Sequence, residues 1–180
     1  MAERILVVFE RLGGSSEKLW HALGYSACEY ETPIRPRDGE MVRFWSDSPS
    51  HVGTYRHARD LITPDPLVRP LPIYAPQTGR VICLVQDHDK FGDGAGFLPY
   101  TNYITVQAGQ HEFYEICHIA KGSVQVGVGE VVHKGEQIAM TGVNGWMTDR
   151  RHCHILVGRW RGKIGGEFES LRIRFGGMGF

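Results

Sequence analysis

No segment of this chain approaches the roughly 20 consecutive apolar residues that a membrane-crossing helix needs, which excludes a helical span within the 180 residues. Cysteine is scarce. The four present, Cys28, Cys83, Cys117 and Cys153, form no Cys-x-x-Cys pair, which excludes a zinc knuckle and makes a poor disulfide framework for this length. Three of them sit in apolar runs, where Cys acts as a small buried hydrophobe, and free thiols point to a reducing compartment. An excess of one charge is also missing. Lys plus Arg and Asp plus Glu number 20 each, so no global field draws the chain to nucleic acid or an anionic membrane. Arg150-Arg151 and the stretch from Arg159 to Lys163 read as solvated faces. Met1 to Glu10 carries charges within its apolar run, and no apolar signal core or small-residue cleavage site follows. The expectation is a protein that is cytoplasmic as encoded, with no nucleic-acid partner and no membrane span.

The length suits one domain with a decorated terminus, and 42% hydrophobic residues suffice for a core. Residues 1–45 read as an accessory α/β layer. Ile5 to Phe9 is expected as a strand, Ser15 to Leu23 as a helix capped by Ser15 or Ser16, and Gly39 to Trp45 as another strand. From about Phe44 helical periodicity nearly vanishes and short strands rich in Val, Ile, Tyr and Phe recur between turn residues. They are Arg80–Gln86, Asn102–Gln107, Glu112–His118, Ser123–Val128, Gln137–Thr141, His152–Val157 and Ser170–Phe175. Gly92 to Gly96 reads as a flexible loop, and residues 176–180 as a loose tail after a main domain over 46–175. The expected fold is mainly β, an antiparallel sheet or sandwich with a small N-terminal α/β extension.

Chemistry concentrates at His152-Cys153-His154, which opens the apolar run Ile155-Leu156-Val157. On a strand, alternation puts both imidazoles on one face and turns Cys153 to the other, as packing. One ring can then bind a metal while its neighbour handles a proton. That division suits catalytic zinc, which takes about three protein ligands and keeps a position for water. A His-x-His pair alone is as often a surface or hydrogen-bonded pair. Further candidates are Asp60, preceded by His51 and His57, and His118 at a strand end; salt bridges from Asp60 to Arg56 or Arg59 are the structural alternative. His21 reads as structural, and His111 and His133 as exposed turn residues. His88 and Asp89, near Asp87 and Asp93, lack the oxygen-ligand register of a calcium loop. The Lys134-Gly135 turn is similar to a lipoyl-carrier hairpin, but His133 stands where carriers place Met or Ala.

The order of several short motifs is more telling than any one of them. Ser50-His51-Val52-Gly53 precedes Asp60 and Pro64. Ala75-Pro76-Gln77-Thr78-Gly79-Arg80-Val81, Asn102-Tyr103-Ile104-Thr105-Val106 and Tyr114-Glu115-Ile116-Cys117-His118-Ile119 follow. Val126 to Ala139, with Gly129, Val132, Gly135 and Ile138 in step, leads to His152-Cys153-His154. From about His51 to Gly158 the chain resembles the lysostaphin-type (LytM-like) zinc metallopeptidases. The resemblance implies Zn2+ held by Asp60, His154 and a first His, with His118 and His152 activating water and steadying the transition state. The family's usual first ligand, four residues before the Asp, is Arg56 here. Some members carry Ser-His-x-Gly nine residues before the Asp, which favours His51, with His57 as the alternative. Tyr114, Asn102 and Arg151 are expected to border the substrate groove, with core packing the other reading of Tyr114. The implied activity is endopeptidase cleavage of short peptide bonds, as in peptidoglycan crosslinks of the bacterial cell wall, a site reached by some route other than a signal peptide. The competing reading is a catalytically degenerate peptidase fold serving as a binding or regulatory module.

Overall fold

A computed structural model describes residues 15–35, 42–62, 70–147 and 151–176. The strand expected at Ile5–Phe9 and most of the expected tail lie outside them. Helix α1 (Ser16–Ala22) starts where the sequence offers a hydroxyl: Ser15 Oγ accepts the Lys18 N–H at 3.3 Å, with Glu17 in the first turn. The strands are β1 (Tyr25–Tyr30), β2 (Arg43–Trp45), β3 (Arg59–Ile62), β4 (Pro72–Tyr74), β5 (Gly79–Val85), β6 (Phe91–Gly92) and β7 (Tyr103–Gln107). After them come β8 (Glu112–Cys117), β9 (Val131–Val132), β10 (Gln137–Met140), β11 (Gly145–Trp146), β12 (Cys153–Trp160), β13 (Phe168–Ser170) and β14 (Arg172–Phe175). The architecture is mainly β, as the short apolar runs predict.

One eight-stranded sheet dominates, in the order β2-β3-β12-β8-β7-β5-β9, with every pair antiparallel. β3 borders the first half of β12, and β13 the second half on the same side. Alternation along β12 gives the sheet two characters. Cys153, Ile155 and Val157 turn to the core with Leu61, Tyr114, Ile116, Ile104 and Val106. His154 and Leu156 turn to the other face. The core is closed by two small pairs, β4 with β10 (antiparallel) and β1 with β14 (parallel), which contribute Ile73, Ile138 and Tyr30. Pro72 opens β4, where its missing N–H costs no interior ladder bond.

The expected strand Ser170–Phe175 divides into the end of β13 and β14, which pair in different sheets, and two further sequence expectations change. Ser123–Val128 forms no strand: Gln125 donates one backbone bond to Ile138 at 3.0 Å, then the chain turns at Gly129, whose φ is +93°. The segment around Gly92 to Gly96 is ordered by partners: β6 pairs with β11, and a 3₁₀ turn spans Ala95–Tyr100. The N-terminal segment packs through Tyr30 and Ile34 into the same core as the main sheet.

Candidate metal centre

The register of the large sheet assembles the centre. Asp60 on β3 stands directly opposite His154 on β12, which stands opposite Cys117 on β8 and, beyond it, Tyr103 on β7. Directly opposed residues share a face with Cβ atoms about 5 Å apart, so this row forms the floor of a groove. His51 enters from the loop after β2. Its Nδ1–H donates to the Ser46 carbonyl at 3.0 Å, which leaves the Nε2 lone pair facing the row. His51 Nε2 lies 3.3 Å from Asp60 Oδ1 and 3.3 Å from His154 Nδ1, and His154 Nδ1 lies 2.9 Å from the same carboxylate oxygen. All three side chains are buried, and their ligand atoms lie within 4.8 Å of one another.

This donor set fits zinc. Tetrahedral ligands about 2.0–2.1 Å from the ion stand roughly 3.3 Å apart, close to the spacing of the three atoms. Two imidazoles and one carboxylate are ordinary zinc ligands, and the Ser46 carbonyl fixes the His51 tautomer as an outer partner does in zinc sites. Burial alone would raise the pKa of Asp60, but the His154 and His51 rings beside it outweigh burial and hold the carboxyl well below the usual carboxylate range.

Two further histidines face the trio. The His118 ring lies 4.7 Å from that of His152 and 5.8 Å from that of His154, both edge-on. His152 Nε2 lies 3.7 Å from Asp60 Oδ1. His118 Nδ1–H donates to the Asn144 carbonyl at 2.7 Å, leaving Nε2 as the basic nitrogen. Burial, then the neighbouring His152 and His154, push its pKa well below the ordinary value, so the ring is neutral at neutral pH. His118 is also the one non-glycine residue with positive φ, +61°, among the described residues. Its carbonyl accepts the Gly142 N–H at 2.6 Å, which holds this disfavoured backbone. Asn144 is in turn fixed by its Nδ2 bond to the Ile119 carbonyl (2.7 Å) and by the Asn102 N–H (2.8 Å).

The groove widens into a cavity on each side of the centre. One, of about 440 Å³, is lined by His118 and His154 with Glu115, Tyr103, Tyr55 and Leu98. The other, of about 470 Å³, adjoins Asp60 and His152 and includes Trp45. Ser50 and Trp146 line both. His57 lies elsewhere: its Nδ1–H donates to the Ser170 carbonyl at 2.9 Å. Tyr114, expected to border the groove, is fully buried on the core face by alternation and donates its hydroxyl to Gln77. Asn102 is buried beneath the site, its Nδ2 donating to the carbonyls of His88 and Ile119. Arg151 borders a separate cavity of about 160 Å³ with His88 and Lys121. Residues that motif reading missed are Asn144, Glu115, Trp146 and Ser46. Glu115 was within reach, since alternation puts it on the face opposite Tyr114. Ser46 acts through its carbonyl, which no side-chain pattern betrays.

Neither a protein-family model nor a curated protein matches the sequence. Solved structures do. A Ruminococcus gnavus structure described as a glycyl-glycine endopeptidase LytM matches with a TM-score of 0.53 over 79% of this chain and 57% of that one, at 14% identity. The fold is that of the M23, lysostaphin-like peptidases. The M23 metalloprotease pseudoalterin, from the deep sea, gives a TM-score of 0.54, 11% identity, and coverage of 80% of this chain and 74% of its own. A Pseudomonas aeruginosa structure described as peptidase M23 is 22% identical, with a TM-score of 0.48 and 81% of this chain covered. This chain spans 47% of that protein's length. At these identities the likeness is one of fold, and no helix among the described residues is long and apolar enough to cross a membrane.

Proposed function

We propose that this chain is a zinc-dependent endopeptidase that hydrolyses short peptide segments, of the kind that crosslink peptidoglycan. The observation that carries this reading is the meeting of His51 Nε2, Asp60 Oδ1 and His154 Nδ1 at the middle of a groove, with two more histidines beside them. Zinc in that set would supply a Lewis acid for the scissile carbonyl and would lower the pKa of the attacking water toward neutrality. The residues do the rest. His118, neutral and anchored through Nδ1 on Asn144, accepts the water proton at Nε2. His118 then passes that proton to the departing amine, while His152, beside the Asp60 carboxylate, donates an N–H hydrogen bond to the developing oxyanion. The cavities on either side receive the two arms of an extended peptide. A crosslink substrate puts the site of action outside the membrane.

The test combines metal analysis with cleavage of pentaglycine and of peptidoglycan stem peptides. About one zinc per chain, cleavage of at least one of these peptides, and loss of both in Asp60→Ala are the expected results. A chain that binds no zinc, or binds it and cleaves neither peptide class, would overturn the reading in favour of a non-catalytic module.

A further inference from the structure

The cavity on the His118 side holds a carboxylate that the proposed hydrolysis does not use. Glu115 lies on β8 two residues before Cys117, on the groove face, roughly 7 Å along the strand from the row that carries Asp60 and His154. It is half-buried and lines the cavity of about 440 Å³. Two donors steady it: the Thr105 hydroxyl at 3.0 Å from Oε2, and the Cys117 thiol at 3.7 Å from Oε1. Neither carries positive charge. Among the described residues no Lys or Arg forms an ion pair with it, and none lines this cavity. Burial raises its pKa, which the Thr105 bond, the nearby His154 and the Cys117 bond only partly offset. A carboxylate taken out of water without a cation is costly to maintain, and a cationic ligand would relieve that cost.

The walls narrow the choice of cation. Tyr55, Tyr103, Trp146 and Leu98 surround the same space. Aromatic faces beside a carboxylate suit a compact ammonium whose methylene stem packs on the rings. Resting on the peptidase reading, we propose that Glu115 is a specificity-determining residue of a subsite for a primary ammonium group, borne by the substrate within about two residues of the scissile bond. A lysine-type side chain and a free peptide N-terminus both present that group.

The test uses glycine peptides with Lys or norleucine two residues from the scissile bond, each with a free or an acetylated N-terminus. The zinc-loaded wild type, Glu115→Gln and Glu115→Asp are compared by kcat/KM, and peptide affinity is measured separately by NMR titration of the zinc-free proteins. Gln keeps an acceptor for Thr105 and loses only the charge. The wild type should favour ammonium-bearing peptides about tenfold in both readouts, the scale of one charge-assisted hydrogen bond. Glu115→Gln should bring that ratio close to one, while Glu115→Asp keeps part of it. A preference that follows Lys over norleucine assigns the group to a side chain, and one that follows only the free terminus assigns it to the α-amine. A wild type indifferent to the ammonium, or a Glu115→Gln variant whose ratio is unchanged while its rates fall, overturns the subsite. Cleavage absent from every peptide, with the affinity preference present and dependent on Glu115, overturns the peptidase reading and leaves the ammonium subsite standing.

Discussion

A histidine's role in this centre follows from what its second ring nitrogen touches. His51 gives its Nδ1–H to Ser46 and so turns a lone pair toward Asp60 and His154, whereas His57 is spent on the Ser170 carbonyl across β13. His51→Ala should therefore lose bound zinc and His57→Ala should keep it, as read by metal analysis of the purified variants. Equal retention in both would remove His51 from the ligand set. His118 and His152 stand beside the trio without joining it. Each of His118→Ala and His152→Ala should hold zinc yet lose peptide hydrolysis by roughly two orders of magnitude or more, the scale of acid–base groups. Rates within a few-fold of wild type at equal zinc content would remove that histidine from the chemistry. The sequence made these five side chains legible, because each is a rare residue type at a recognisable place in an ordered set of motifs. It hid Asn144, which orients His118 through a backbone carbonyl and therefore leaves no side-chain signature.

At the scale of elements, two contacts set the shape on which the site depends. Glu112, at the start of β8, is buried and accepts bonds from His21 Nε2 (2.9 Å), the Ala27 and Cys28 N–H groups (2.7 and 3.1 Å) and the Tyr30 hydroxyl (2.8 Å). One carboxylate thus clasps α1 and β1 onto the main sheet. Burial opposes its ionisation, but these donors prevail and its pKa is lowered. A folded-state pKa below the unfolded value stabilises the protein fully above about pH 4.5, and that stability is lost as pH falls through the folded value. Glu112→Gln should cost about 1–3 kcal/mol at pH 7 and flatten the acid limb of stability below about pH 4.5, followed by urea titrations at several pH values. An acid limb as steep as in wild type would show that the clasp does not need the charge. The second contact is Gly142, whose N–H holds the His118 carbonyl. An added Cβ there would lie 2.6 Å from the Ala120 backbone, which cannot swing aside. Gly142→Ala should destabilise the fold by about 1–3 kcal/mol, and lower hydrolysis more than the Glu112 variant does, because it displaces His118 itself. Both are checked by denaturation and kinetics on the same samples.

At the scale of the whole molecule, what the sequence disclosed was local and what it concealed was long-range. Strands such as β8 and β12 announce themselves through short runs rich in apolar and aromatic residues, and α1 through its serine cap. The parallel pairing of β1 with β14 joins residues 25–30 to residues 172–175, and no local pattern encodes a partner so distant. The same holds for the tie between β6 and β11, which orders a glycine-rich segment that composition alone marks as loose. The candidate metal centre is long-range in this sense too, since the side chains that would hold the ion come from a loop, from β3 and from β12. A metal bound by the folded chain and not by the unfolded one stabilises the fold by mass action, by about 4 kcal/mol at a thousandfold excess over Kd. For a chain of this size that corresponds to a rise in Tm of roughly 10 °C. The core does not depend on the ion: Ile155, Val157, Leu61 and Ile116 pack on the face opposite the ligands. Zinc removal with a chelator should therefore lower Tm by about that amount while far-ultraviolet circular dichroism stays that of a folded β protein. Asp60→Ala and His154→Ala should melt at the same temperature with and without zinc. A zinc-dependent rise in Tm that survives both substitutions would mean that the ion sits somewhere other than between β3 and β12.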